Sequence, residues 1–158
     1  MSITTQIGLG KRLRSAHMAF SKALRYELAK ENVTFGQFVH LERLWDQDGL
    51  TQKELSKRVG VETASSTSIL AELEELGYVV RKRSVVDGRA INVHLTPAGS
   101  ALQQSLLSCA SRVNARAKRA LEPEVVEQLY GMLDAITREL SAAYPQLHRA
   151  NGKQRLDL

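Results

Sequence analysis

The hydrophobic period of this 158-residue chain changes at Gly77, and that change constrains the fold more than any other feature. Before it, apolar residues between positions 51 and 76 recur at three- and four-residue spacing. After it, Tyr78–Ser84 and Ile91–Leu95 alternate. A pattern with the helical period does not settle as a strand, nor the reverse. Two short helices followed by a two-stranded hairpin are therefore expected, with Asp87-Gly88-Arg89 supplying the turn.

The helix ends are marked as well. Thr51-Gln52-Lys53-Glu54 reads as a capping box, Leu55 and Val59 face inward, and Gly60 stops the first helix. The second starts near Glu62, turns Ile69, Leu70, Leu73 and Leu76 toward a core, and ends at Gly77. Its opposite face holds Ala64, Ser68 and Ala71, flanked by Ser65, Thr67 and Glu72, small or polar residues that let a backbone lie close to base edges. The hairpin sets Arg81, Lys82, Arg83 and Arg89 against the single Asp87. A cation at a hairpin tip suits the negative potential of a narrow minor groove. The same charges also serve solubility and edge protection, and for Arg81–Arg83 both readings stand. Helix, helix and hairpin in this order make a winged helix-turn-helix, whose second helix enters the major groove.

At this point the chain resembles a known family. Leu55-Ser56 through Gly60-Val61, Leu73-Glu74-Glu75-Leu76-Gly77-Tyr78-Val79-Val80-Arg81, Asp87-Gly88-Arg89 and Leu95-Thr96-Pro97-Ala98-Gly99 are similar to the MarR (multiple antibiotic resistance regulator) family of bacterial transcription factors. The resemblance covers nearly the whole chain, and the joint spacing is more specific than any one motif. It implies that residues 62–76 are the recognition helix, that Arg89 enters the minor groove, and that Asp87 orients it. Three positions depart from the family pattern. Ser68 stands where an Arg is usual, Asp-Gly-Arg replaces Asp-Arg-Arg, and Ser66 takes a place usually apolar and inward. An Arg to guanine contact is therefore not expected at Ser68, and the operator sequence stays open.

The candidate DNA-contacting residues are Gln52, Lys53, Thr63, Ser65, Thr67, Ser68, Arg81, Arg83, Asp87 and Arg89. The overall charge of +5 agrees with a polyanionic partner, but its distribution says more. Residues 51–95 carry Lys53, Lys57, Arg58, Arg81, Lys82, Arg83 and Arg89 against Glu54, Glu62, Glu72, Glu74, Glu75 and Asp87, nearly a balance. The segment from Lys11 to Lys30 is strongly basic, and Arg112, Arg116, Lys118 and Arg119 follow on a later helix. Either these flanking cations meet phosphates alongside the reading unit, or they are solvated helix faces.

Two further stripes call for a partner. Leu102, Leu106, Cys109, Val113, Ala117 and Leu121 line one helix from Thr96-Pro97, and Val126, Leu129, Leu133, Ile136, Leu140 and Ala143 line the last, which ends at Tyr144-Pro145. With the first helix, residues 7–30, they offer more apolar surface than the winged unit can cover. The expected class is mainly α with a small β-hairpin wing: one domain over 1–158, a DNA-binding unit at 34–95, and dimerisation helices at 1–31 and 96–147. A two-fold homodimer would bring two recognition helices about one helical turn apart, matching a pseudo-palindromic operator.

A helix over residues 34–46, capped by Thr34-Phe35-Gly36-Gln37 and burying Phe35, Phe38, Leu41 and Trp45, joins the reading unit to the arms. The resemblance implies that small aromatic acids or other lipophilic compounds bind near this junction and change the spacing of the reading heads. His17, Phe20, His40 and Trp45 are the candidate lining, as an aromatic wall with an ionisable group suits a phenolic carboxylate. A Trp or Phe at this spacing equally serves as core.

No catalytic constellation assembles: there is no Gly-x-Ser-x-Gly elbow, Walker loop or His-Glu-x-x-His, so neither an enzyme nor a cofactor is expected. His17, His40, His94 and His148 lack metal-ligand pair spacing. Cys109 excludes an intrachain disulfide, lies on an apolar stripe, and fits a reducing, cytoplasmic compartment. No apolar run reaches the roughly 18 residues of a membrane span, so no membrane partner is expected. The competing reading is a helical interaction module whose winged unit no longer binds DNA, and salt dependence of duplex binding separates the two.

Overall fold

The computed structural model describes residues 8–145. Ile7, assigned above to the first helix, and residues 146–158, with His148, lie outside the described residues. The chain runs α1 (Leu9–Ala29), α2 (Phe35–Asp46), α3 (Gln52–Val59), α4 (Thr63–Glu75), β1 (Val79–Arg83), β2 (Ile91–Leu95), α5 (Pro97–Ala101), α6 (Gln103–Lys118) and α7 (Pro123–Ala143).

Local chemistry explains the boundaries. At α2, Thr34 Oγ1 accepts from the Gln37 amide at 3.2 Å while Gln37 Oε1 accepts from the Thr34 amide at 3.1 Å. Thr51 and Glu54 make the same reciprocal pair at α3, at 3.2 and 2.9 Å. The amide and hydroxyl of Thr51 hold the Glu54 carboxyl below its usual range, so the cap favours the ionised form. Gly77 closes α4 at φ +76°, left-handed backbone that a Cβ would strain. The chain then folds back, with the Tyr78 amide donating to the Leu73 carbonyl at 2.9 Å. This early turn leaves Leu76, expected to face the core, 50% exposed.

The hairpin pairs β1 with β2 antiparallel, from Val79 opposite Leu95 to Arg83 opposite Ile91. The loop before α3 lies along its outer edge, where Val93 donates to the Leu50 carbonyl at 2.8 Å and accepts from Gly49 at 3.1 Å. Helix and wing thus share one scaffold. Leu41 and Leu44 of α2, Leu55 of α3, Leu70 and Leu73 of α4, Val79 and Val93 of the hairpin, and Leu28 of α1 form a continuous core with Leu106 and Cys109 of α6.

The helix expected to run on from Thr96-Pro97 is divided at Leu102, between α5 and α6. The Gly99 carbonyl, positioned to receive the amide four residues on, accepts from the Trp45 indole at 3.1 Å. Gly99 itself meets the Tyr78 carbonyl so closely that a Cβ would overlap it. Along α6, Leu106, Cys109 and Val113 are buried, but Ala117 near its end and Leu121, expected on the same helix and lying beyond it, are exposed. The contrast is sharper on α7, where Val126 alone of the expected stripe is buried and Leu129, Leu133 and Leu140 stand 37, 38 and 53% exposed.

Candidate nucleic-acid interface

α4 presents two chemically distinct faces. Thr63, Ser65, Thr67 and Ser68 are exposed, while Ser66, Leu70 and Leu73 point into the core. The Thr67 hydroxyl donates back to the Thr63 carbonyl at 2.8 Å, which leaves its methyl group outward. Gln52, at the start of α3, is half-buried with its amide oxygen unpartnered, and the adjacent Lys53 is exposed.

The inner face of α4 is held by polar contacts as well as packing. His40 is fully buried between α2 and α4. Its Nδ1 donates to the Gly36 carbonyl at 2.7 Å; a carbonyl can only accept, so Nε2 is the acceptor and takes the Ser66 hydroxyl at 3.0 Å. Burial lowers the His40 pKa, partly opposed by the Gly36 carbonyl, and favours the neutral ring that this pattern requires. Nearly two turns further along α4, Glu72 accepts from Gln37 Nε2 at 3.2 Å.

The wing is fastened to the same helix. Glu74 receives the Arg81 amide and Nε, each at 2.8 Å, and Nη2 of the same guanidinium lies 2.8 Å from its carboxylate. These bonds keep the Glu74 carboxyl below its usual range. Arg81, a candidate phosphate contact in sequence, is thus engaged in joining helix to wing, whereas Lys82, Arg83 and Arg89 are exposed. Asp87 Oδ1 accepts from the Arg89 amide at 3.0 Å, so it shapes the backbone on which Arg89 stands.

The four residues named for a ligand pocket separate into two groups. His17 and Phe20 line a groove of about 1170 Å³ between α1, α6 and α7, together with Lys22, Arg116, Leu129 and Leu133. His40 and Trp45 are elsewhere: His40 is committed to Gly36 and Ser66, and Trp45 to the Gly99 carbonyl, its ring meeting Phe38 edge-on at 6.4 Å. Both act as core groups that tie α2 to its neighbours. Of the later basic cluster, Arg112 bonds Glu27 at 2.8 Å and Lys118 lies 5.5 Å from the Tyr130 ring centre. Lys30 and Arg112 together pull the Glu27 pKa down, and the Arg112 pKa rises in response.

The sequence of residues 33–91 matches the profile of the MarR family. With the α3–α4 pair, the hairpin and their spacing in place, that match decides the family of this segment. Residues 33–91 are a MarR-family domain. The chain is 36% identical over 89 residues to the HTH-type transcriptional regulator TtmR of Methylorubrum extorquens, covering 56% of this chain and 45% of that one. It therefore spans less than half of that relative's length. It is 25% identical over 126 residues to the organic hydroperoxide resistance transcriptional regulator of Bacillus subtilis, covering 78% of this chain and 86% of the relative. Among solved structures, a MarR family protein of Mycobacterium tuberculosis in complex with salicylic acid superposes with a TM-score of 0.70 at 26% identity, over 83% of this chain and 97% of that one. The helical architecture with a two-stranded wing is that of the MarR-family winged helix.

Two features of the MarR-family domain escape sequence reading. The His40–Ser66 contact bridges 26 positions, and its only trace is a Ser at a helix position whose neighbours at helical spacing are apolar. The Glu74–Arg81 pair crosses a turn in which Gly77 reverses the chain, so helical spacing rules do not reach it.

Proposed function

We propose that this chain is a sequence-specific double-stranded DNA-binding transcriptional regulator that acts as a homodimer on a pseudo-palindromic operator. The observation that carries the reading is the pairing, on one scaffold, of an exposed small-residue face on α4 with a wing whose free cations are at its tip. Such a face admits close approach to base edges in the major groove, and exposed Arg83 and Arg89 suit the phosphates and narrow groove beside it. With Ser68 at the helix centre and Arg81 held by Glu74, base preference rests on hydroxyl contacts and groove shape more than on an arginine to guanine pair.

The open face of α7 supports the homodimer. A helix of 21 residues with Val126 as its only buried residue needs another surface, and the exposed ends of α1 and α6 present a matching one. A second copy laid against these arms closes both faces at once and sets the distance between the two recognition helices.

Regulation is a population shift. A small ligand, an aromatic acid by analogy with the salicylic acid complex of the mycobacterial relative, binds where arms meet reader and favours a head spacing that no longer fits the operator. A differential affinity of about 5 kcal/mol between the two spacings suffices to reverse the population. By analogy with the family, the regulator is a repressor that its ligand releases from the operator. The protein acts through binding, in the cytoplasm, with no catalytic step.

Selection of bound duplexes from random DNA at near-physiological salt tests this. Enrichment of two half-sites about one helical turn apart is expected. A folded protein that enriches no sequence, or whose duplex binding ignores salt, would instead be a helical interaction module.

A further inference from the structure

The wing has an engaged base and an open tip. At the base, Arg81 gives its amide and guanidinium to Glu74 of α4. At the tip, the Ser84 hydroxyl accepts from the amides of Val86 and Asp87 at 3.3 and 3.2 Å, and the Ala90 amide donates to the Asp87 carbonyl at 2.9 Å. The loop is therefore fastened by its own hydrogen bonds, and it points two side chains away from the protein. Val85 and Val86 are 102 and 99% exposed, the most exposed large hydrophobic residues among those described.

Loop positions of this kind are ordinarily filled by Gly, Asn, Asp, Ser or Pro, each of which turns the chain at little cost. Two adjacent β-branched apolar residues bring no turn chemistry and no solubility. Their surroundings are cationic on balance: Lys82 and Arg83 precede them and Arg89 follows, all exposed, against the single exposed Asp87, whose carboxylate is turned to the Arg89 amide. An apolar point rimmed by positive charge complements a duplex groove, where phosphates form the rims and sugar faces form apolar walls. A protein surface of ordinary composition offers no such rim of negative charge.

We infer that Val85 and Val86 are duplex-contacting residues, an apolar wedge seated against the sugars of the minor groove while Arg83 and Arg89 meet its charged rims. The inference rests on the DNA-binding reading above and adds a contact of different chemistry to it. The Glu74–Arg81 clamp fixes the reach of the wedge relative to α4, so tip and recognition helix dock together.

The experiment compares the wild type, Val85→Ser/Val86→Ser, Val85→Leu/Val86→Leu and Arg89→Ala on the selected duplex across a salt series. The double Ser variant is expected to bind about tenfold more weakly at every salt concentration. Its slope of log affinity against log salt stays that of the wild type, because an apolar contact displaces no counterion. The double Leu variant keeps wild-type affinity. Arg89→Ala, by contrast, loses affinity and flattens the slope by about one ion. Wild-type affinity in the double Ser variant, with Arg89→Ala impaired, would overturn the wedge and leave the wing reading by charge alone. A double Ser variant that binds normally but changes its self-association would overturn it in favour of a contact between copies. Absence of duplex binding by the wild type would remove the DNA-binding reading itself, before the tip is in question.

Discussion

The reading unit and the arms meet the same requirement, burial of an apolar face, in opposite ways. Residues 34–95 are closed over a core they share with the inner faces of α1 and α6: Leu55, Leu70, Leu73, Val79 and Val93 are all essentially inaccessible, as are Leu28, Leu106 and Cys109, and polar contacts from His40, Gln37 and Arg81 fasten α4 on its inner side. The outer faces of the arms are not covered in this way. α7 leaves Leu129, Tyr130, Leu133 and Leu140 in the open, and α1 presents Leu9, Met18 and Tyr26. Exposed apolar side chains along these helices suit contact with another surface. The winged unit is thus largely covered within the chain, and the open faces of the arms are what the proposed homodimer would cover.

The contrast is broken most severely by charging the arms. Leu129→Glu/Leu133→Glu is expected to give a monomer with a folded reader, and to lower affinity for the full operator at least about a hundredfold as the two heads lose their mutual tether. Sedimentation and duplex titration read both effects. A dimer that survives the pair would move the interface away from α7.

Next in size is Arg89→Ala, expected to cost about 1–3 kcal/mol of operator affinity with the dimer intact. Unchanged affinity in a gel-shift titration would remove Arg89 from the interface. Ser66→Ala acts on the reader's internal fastening: it leaves His40 Nε2 buried without a donor, which costs about 1–3 kcal/mol of stability by denaturant unfolding. A Ser66→Ala protein as stable as the wild type would mean that water or a shifted ring replaces the bond.

His40 also gives the reader a pH signature. Its pKa is lowered in the fold from the ordinary 6.5, so the unfolded chain binds the proton more readily. This contribution to stability is complete above that value and is lost as pH falls from there toward the folded pKa. His40→Gln is expected to flatten stability against pH in that window, whereas an unchanged profile would place the titration elsewhere. The smallest effects belong to Ser65→Ala and Ser68→Ala, which should change overall affinity by less than about 1 kcal/mol while altering which bases the selection enriches. An identical selected motif would take these hydroxyls out of base contact.

Much of the reader was legible because its signals are local. The Thr34 and Thr51 caps, the Gly60 and Gly77 stops and the change of period at Tyr78 each depend on neighbours within four residues, and each is realised in the fold. Candidate side chains were harder to place. His40 and Trp45 have the chemistry of a ligand pocket, yet the bonds that bury them come from Ser66 and Gly99, distant in sequence. Arg81 is indistinguishable from Arg83 by type, and only the fold brings it onto Glu74. Leu76 shows the limit of periodicity, since the helix ends before its place in the stripe can be used. The arms present the reverse case: their stripes were evident, and within one chain their outer residues remain largely uncovered.

The most direct test is the stoichiometry of the complex, measured by native mass on the selected duplex and on an isolated half-site. Two 17.5 kDa chains on the full site, with much weaker binding to the half-site, are predicted. One chain bound to each with equal affinity would contradict a reader whose function depends on arms completed by a partner.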